Sequence, residues 1–446
     1  MPRGLKIHGA IVGLALLIFV PALFFAPMLR DSFWIDWVWS DQFTAELAKG
    51  HLYPRWLPLS NGGQGSPAFY FYPPIAFYVS GVLGLIGLST YHAILACFAI
   101  ALTLSGYTMF AWLRDTPHPL LGALIFMAAP YHVFDFYSRG AQAEFLAIAI
   151  LPLVALGLRR ARESRPMLLA YSYAALILTH LPLAVLTSLF LIGPYYLWKG
   201  PRRLLVPLAL GIAMGAIFLV PALALNHYRL TAWLWGTQFQ PKNWSLIFPH
   251  EGPVEGMRIV FAAIIVVTLV PIVILWFAGQ KYAARYAAVC CFLAAGVVPA
   301  FWTLPLLKEV QFPFRLMPLI EFAIATGLAS VRLSGPLWLL AMSPQLMLTP
   351  VFVFLHSQER APKLEWLIFF HPDVPENHLT NPSQPLPKWP EDLGLAISLI
   401  GLAGAGALAV RQRRRPTTPE PAGSAAPRGT GGASRPRAGR GRRRSA

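Results

Sequence analysis

The chain contains 446 residues, of which 56% are hydrophobic and only 12% are charged. Soluble domains carry about 25% charged residues, so this composition excludes a soluble domain and predicts an all-α polytopic membrane protein. The formal net charge is +17 but is unevenly placed: segment 411–446 holds 11 Arg and one acid, which gives 11 − 1 = +10 of the total.

Apolar runs predict about twelve membrane crossings, each long enough to span or nearly span a bilayer. The first run follows a basic N-terminus and lacks a small-residue cleavage site, so we expect it to be retained as a span. Short basic connectors place both termini on the cytoplasmic side. The predicted crossings are 8–28, 93–113, 119–134, 142–158, 167–182, 183–199, 204–223, 258–277, 286–303, 316–331, 335–355 and 393–410.

One apolar run, 68–88, is not predicted to cross. If it crossed, Arg114 and the basic cluster 159–165 would lie outside, against the preference of basic connectors for the cytoplasm. Its Pro73-Pro74 pair and flanking aromatic residues favour a juxtamembrane or re-entrant helix in the first outer loop.

The chain divides into a membrane domain, 1–410, and a tail, 411–446. The tail is rich in Pro, Gly, Ser and Ala and cannot form a core, so we predict that it is disordered and cytoplasmic. Next to a final span, its arginines favour anionic lipid headgroups over nucleic acid. The topology brings the polar clusters to the outer face, including the first outer loop, 29–92, and the last, 356–392.

Two acids, Asp36 and Asp41, follow the first span in the segment FWIDWVWSDQF. Either is a candidate base for an acceptor hydroxyl, or a metal ligand. The alternative is that both lie on the solvated face of an amphipathic helix anchored by Trp. The pattern leaves both possibilities open.

The next cluster, HLYPRW, places Arg55 beside Trp56. Arginine binds phosphate in a bidentate manner, and Trp56 and Tyr53 are candidates to stack on a sugar or line an acyl chain. Tyr72 is a further substrate-binding candidate. The alternative is simple anchoring at the membrane interface. The Gly-rich loop 60–67 lacks the Lys of a nucleotide P-loop, so we exclude that function.

A second polar block, PYHVFDFYSRGAQAEF, contains Asp135, Arg139 and Glu144 at a span junction. One interpretation is that Arg139 binds phosphate while an acid binds a divalent metal or substrate hydroxyls. The other is a structural ion pair between Arg139 and Asp135 or Glu144.

Three further residues extend this set. His180, in LTHLP, is a substrate-binding candidate or a packing residue. Arg315, in VQFPFR, is another charge at the mouth of a span. Glu376, in HPDVPENHL, is a candidate for acceptor or metal binding, although the spacing there matches no zinc site. A divalent metal, Mg²⁺ or Mn²⁺, stays an open possibility, and no other cofactor is expected.

The blocks GHLYPRW, FYFYPPIAFY, YHVFDFYSRGAQAEF and QFPFR resemble membrane glycosyltransferases of the GT-C fold. More narrowly, they resemble the bacterial membrane proteins termed "6-pyruvoyl-tetrahydropterin synthase-related". The resemblance covers most of residues 30–320. It implies transfer of a sugar from a polyprenyl-phosphate donor to an acceptor at the outer membrane face.

The resemblance also implies roles for particular residues. The catalytic acid of the first outer loop matches Asp36 or Asp41, and Asp36 is preferred because it is nearer the span exit. The acids of the second outer loop that assist a metal or the acceptor match Asp135 or Glu144. The leaving phosphate would be stabilised by three arginines, Arg55, Arg139 and Arg315.

Two other functions fit a polytopic membrane protein. The first is a transporter or flippase for a lipid-linked or anionic substrate, which predicts midplane charges and internal repeats. The second is a non-catalytic assembly subunit. Charges at span ends and two dissimilar halves of the chain favour the glycosyltransferase.

Overall fold

The computed structural model describes residues 3–24, 32–63, 65–199, 202–228, 239–248, 255–356 and 386–413. These residues are helical and form no β-strand, which confirms the all-α class. Glu376, most of the last outer loop and the tail beyond residue 413 lie outside the described residues. The helices are α1 (Arg3–Phe19), α2 (Pro21–Phe24), α3 (Phe33–Ala48), α4 (Ser60–Gly63), α5 (Ala68–Phe71), α6 (Ile75–Leu85), α7 (Thr90–Leu113), α8 (Pro119–Met127), α9 (Pro130–Phe134), α10 (Gln142–Arg162), α11 (Met167–Thr179), α12 (Leu181–Thr187), α13 (Gly193–Lys199), α14 (Leu205–Met214), α15 (Ala216–Ala224), α16 (Glu255–Phe277), α17 (Lys281–Ala294), α18 (Met317–Ala329), α19 (Gly335–Ala341), α20 (Ser343–His356) and α21 (Trp389–Arg413).

Seven helical segments of the described chain are long and apolar enough to cross a membrane, or eight if the bent pair α14–α15 forms one span. The chain is therefore an integral multi-pass membrane protein, but the predicted count of about twelve is not confirmed. Several predicted spans are divided into short helices, and α14 and α15 meet at 67°. The seven segments are Gly4–Phe24, Thr90–Leu113, Pro119–Arg139, Gln142–Arg162, Leu181–Trp198, Gly256–Phe277 and Trp389–Val410.

Proline begins several of the short helices. Pro119, Pro130 and Pro182 stand in the first turns of α8, α9 and α12. Proline is tolerated there because the first N–H groups of a helix have no partner within the helix. Pro130 thus begins a new helix inside the predicted span 119–134.

The central helix is α10, which packs against α7 and α11. In the most apolar stretch of α10, 89% is buried inside the protein. The corresponding share for Trp389–Val410 is 22%. A bond from the Thr108 hydroxyl of α7 to the Ala149 carbonyl oxygen, 2.8 Å long, joins two of these helices. The polar N-terminus of α10 is therefore held in the most enclosed part of the molecule.

The segment 68–88 contains two short helices, α5 and α6. With 11 residues, α6 is about 17 Å long at 1.5 Å per residue, too short for a hydrocarbon core of about 30 Å. It packs against α3, whose Phe43 contacts the rings of Phe69 and Tyr78. The first outer loop thus has an aromatic core of its own. The side of the membrane on which it lies stays a prediction.

Glu46 of α3 predicts a pH dependence of stability. Burial raises the pKa of Glu46, but hydrogen bonds from Lys49 and His51, each 2.6 Å, outweigh this effect and hold the pKa below its ordinary value of 4.5. A carboxyl group with a lowered pKa in the folded state stabilises the fold at pH values above its unfolded-state pKa. This stabilisation is lost as the pH falls through its folded-state pKa. We expect the melting temperature to decrease as the pH is lowered from about 5.

The matched variant is Glu46→Gln, which cannot titrate. Its melting temperature is expected to decrease less over the same acidic range. Glu163→Gln, an exposed change at the end of α10, is expected to follow the wild type. Equal acid sensitivity of the wild type and Glu46→Gln would contradict this origin.

Candidate functional site

The N-terminus of α10 is joined to the first outer loop by a close backbone contact. Gly140 has a left-handed φ of +61°, and a Cβ at this position would lie 2.5 Å from Cβ of Phe33. Only glycine combines this conformation with such a close approach. The Ser32 N–H also donates to the Arg139 carbonyl oxygen over 3.0 Å. The motif RGAQAE is thus locked against the start of α3.

Asp36 lies at this junction and is only 3% exposed. Its Oδ2 accepts the backbone N–H of Gln142 over 2.9 Å, which places a carboxylate at the N-terminus of α10. The positive end of a helix favours a negative charge there. The Gln142 amide donates to Ser40, and Ser40 contacts Ser80, both over 3.1 Å. A buried polar network therefore orients Asp36.

Glu144 is the centre of a second group, the Glu144 cluster. Its Oε1 accepts the Tyr131 hydroxyl over 2.6 Å, and its Oε2 accepts Arg139 Nη1 over 2.8 Å. Arg139 also pairs with Asp135 over 2.8 Å. The cluster comprises Tyr131, Asp135, Arg139, Glu144, His180 and Arg315.

Two members of the cluster come from distant parts of the chain. Arg315 Nε lies 3.2 Å from Glu144 Oε2, and His180 Nε2 lies 3.8 Å from the same oxygen. His180 Nδ1 accepts the Leu183 N–H, which directs the other ring nitrogen toward Glu144. Arg315 Nη1 donates to the Val310 carbonyl oxygen over 2.6 Å. Arg139 therefore forms the predicted ion pairs with Asp135 and Glu144, and its binding of a phosphate stays a prediction.

The charges of Asp36 and of the Glu144 cluster both act on the Tyr72 hydroxyl. Burial and then the negative charge of Asp36 raise the pKa of Tyr72 above its ordinary value of 10.0, and the charges of Arg315, Glu144 and Arg139 also act on its hydroxyl. The ring packs on Trp39, with centroids 5.2 Å apart. The raised pKa keeps the Tyr72 hydroxyl protonated near neutral pH.

The carboxylates of the cluster do not suit a divalent metal. Glu144 is already bound by Arg139 and Arg315, and Asp135 by Arg139. A metal ion there would face two fixed cations at short distance. No group of three or more His, Cys, Asp or Glu residues in the described ranges could hold a metal ion.

Other predicted site residues lie outside this constellation. Asp41 accepts the Thr90 hydroxyl at the start of α7 over 2.6 Å. Trp56 is 37% exposed and covers Gly65, where an added Cβ would meet the indole at 2.4 Å. Gly65 also has a φ of +86°, which favours glycine. This part of the Gly-rich loop therefore has a structural role, because glycine lets the Trp56 ring pack directly on the backbone.

Arg55 forms a contact network of its own. Its Nε lies 3.3 Å from Glu391 of α21, and its Nη2 donates to the Ile217 carbonyl oxygen of α15 over 2.8 Å. The guanidinium lies 3.8 Å above the Tyr53 ring, and the Tyr70 hydroxyl donates to Glu391 over 2.8 Å. Arg55 therefore joins the first outer loop to the bent pair and the last helix.

Replacing Arg55 with Gln is expected to loosen this loop and lower the stability by about 1.5–3 kcal/mol, the range for hydrogen bonds to charged groups. Glu391→Gln should cost less, since the Glu391 side chain is 34% exposed and solvent screens such pairs. Thermal unfolding and limited proteolysis within 51–66 measure the effect. Lys308→Gln, at a side chain 57% exposed, is the control, and an equal loss there would contradict the assignment.

Two members of these networks were not predicted as site residues. Tyr131 contacts both Glu144 and Arg139, and Gln142 holds Asp36. The only sequence signal was their position in the second polar block, between charged residues. Tyrosine and glutamine are common at membrane interfaces and helix starts, so their types alone did not indicate a site.

No protein-family model and no curated protein matches the chain. Solved structures do match. ArnT from Cupriavidus metallidurans bound to undecaprenyl phosphate has a TM-score of 0.50 and 15% identity, covering 91% of this chain and 79% of that chain. Apo ArnT gives 0.46 and 15%, covering 90% and 71%. The mycobacterial arabinofuranosyltransferase AftD gives 0.47 and 15%, covering 92% and 28%.

At 15% identity, the similarity to ArnT shows the fold. The chain is a multi-pass membrane protein with the GT-C fold, as the resemblance implied. The narrower resemblance to the "6-pyruvoyl-tetrahydropterin synthase-related" proteins stays a prediction.

Proposed function

We propose that this protein is a membrane glycosyltransferase that transfers a sugar from a polyprenyl-phosphate donor to an acceptor at the outer membrane face. The observation that carries the proposal is the first turn of α10: its Gln142 N–H binds the buried acid Asp36, and two residues later Glu144 contacts Arg139 and Arg315. Such a reaction needs a base for a hydroxyl and cations for a phosphate. The undecaprenyl phosphate bound to ArnT, a protein of the same fold, supports a lipid-phosphate donor.

In the proposed reaction, Asp36 removes the proton of an acceptor hydroxyl. The hydroxyl oxygen bonds to the anomeric carbon of the sugar while the bond from that carbon to the phosphate oxygen breaks. The polyprenyl phosphate leaves with the bonding electrons. Arg315, 9% exposed, contacts the phosphate, and Arg139, 1% exposed, adds positive potential behind it. A low-dielectric surrounding strengthens both interactions.

Binding of the donor phosphate is tested with undecaprenyl phosphate and the full chain in detergent or nanodiscs. The lipid should raise the melting temperature of the wild type by mass action. Arg315→Gln is expected to weaken binding by roughly 10- to 100-fold, the effect of losing a charge-assisted hydrogen bond.

The control is Lys308→Gln, which removes a cation 57% exposed in the same segment. It should bind the lipid as the wild type does. Undecaprenol, which lacks the phosphate, should not distinguish the variants. The proposal fails if the wild type gains no stability from the lipid phosphate, or if Arg315→Gln binds it equally well.

A further inference from the structure

A small internal cavity lies between α8, α9, α16, α18 and α20, beside the Glu144 cluster. Its polar lining comes from Thr268, Glu321 and Gln345, and the remaining lining residues are Ile, Ala and Pro. The volume of this cavity that a water molecule can occupy is about 10 Å³. That volume is close to what one water molecule requires, on the order of 10–15 Å³.

Two side-chain oxygens at this cavity lack a partner among the described residues. They are Glu321 Oε2 and Gln345 Oε1. Glu321 is 4% exposed and Gln345 is 9% exposed. Thr268 donates its hydroxyl proton to the Ile264 carbonyl oxygen over 2.6 Å, so it does not supply the missing donor. Buried acceptors without a donor are unfavourable.

The other carboxylate oxygen of Glu321 has a defined role. Oε1 accepts the backbone N–H of Tyr131 over 2.6 Å, near the start of α9. The hydroxyl of the same tyrosine contacts Glu144 and Arg139. Glu321 therefore fixes the backbone of a residue whose side chain belongs to the Glu144 cluster.

We infer that the cavity binds one water molecule, which donates a hydrogen bond to Glu321 Oε2 and another to Gln345 Oε1. One water carries two donors and two acceptor sites, so it can satisfy both oxygens whether Glu321 Oε2 accepts a hydrogen bond or carries the carboxyl proton. The bridge joins α18 to α20 and holds Glu321 in the orientation that fixes Tyr131. Glu321 is thus a positioning residue for the Glu144 cluster, and its catalytic consequence rests on the proposed function.

Amide hydrogen exchange of segment 130–134, measured on the full chain, reports on the Tyr131 contact. Glu321→Leu should increase exchange there by roughly tenfold, as for the loss of a helix cap. Glu321→Gln should remain near the wild type, because its amide oxygen still accepts the Tyr131 N–H. Thr268→Val, which lines the cavity but supplies no donor to it, is the matched control. Unchanged exchange in Glu321→Leu would overturn the positioning role.

The water itself is tested by a density map that resolves ordered waters elsewhere in the protein interior. The expected result is one peak within hydrogen-bond distance of both oxygens, which disappears in Gln345→Leu. A map without that peak, or with the two side chains in direct contact, would overturn the water site.

Sugar transfer provides a third readout. It should fall in Glu321→Leu and recover in Glu321→Gln. The exchange and density measurements do not require transfer. A wild type without transfer would therefore refute the proposed function while those two results still decide this inference.

Discussion

Asp36→Asn is expected to lower the rate of sugar transfer by roughly 10³-fold, within the range for loss of a general base. Asparagine still accepts the Gln142 N–H through its amide oxygen, so the fold should be retained. Release of polyprenyl phosphate by the purified chain, together with the envelope glycans of cells that carry each variant, measures the effect.

Asp41→Asn is the matched variant, on the same helix and five residues away. Asp41 is bound to the Thr90 hydroxyl, and we expect its replacement to change transfer only a few-fold. Loss of transfer in Asp41→Asn alone would move the base to Asp41. Full transfer in both variants would favour a transporter or an assembly subunit over an enzyme.

Glu144→Gln is expected to produce the largest loss of stability, about 3–5 kcal/mol, because it leaves the buried cluster with two arginines and one carboxylate, Asp135. Arg139 and Arg315 both contact the carboxylate that this change removes. Thermal unfolding in detergent measures the loss. Glu163→Gln, at the exposed opposite end of α10, should stay within about 0.5 kcal/mol of the wild type.

A double variant tests the electrostatic cause. Adding Arg315→Gln to Glu144→Gln removes one of the two arginines, so the pair should be more stable than the sum of the two single losses predicts. Strictly additive losses would show that packing, rather than charge, dominates at this position.

The local part of the site could be predicted because its residues are close in sequence. Asp135, Arg139 and Glu144 lie within ten residues, and the pattern indicated ion pairs among them, which the structure contains. The convergence of His180 and Arg315 on the same oxygen could not be predicted. Each looked like an isolated charge or ring at the mouth of a span.

Arg55 shows the limit of motif reasoning. Arginine between Tyr and Trp is typical both of phosphate sites and of membrane interfaces. Its ionic partner, Glu391, begins the last long helix more than 300 residues later. No local pattern connects the two positions, so the sequence of the first outer loop could not predict this contact.

The sequence by itself determined that this is a multi-pass helical membrane protein with polar clusters at the ends of its spans. The physical reason is that apolar runs must satisfy their backbone groups within helices, and charged residues avoid the hydrocarbon core. Only the tertiary structure decided how short helices divide the predicted crossings, and which distant charges meet. Those contacts depend on the packing of helices that are far apart in the chain, which brings Asp36 to the N-terminus of α10 and His180 and Arg315 to Glu144.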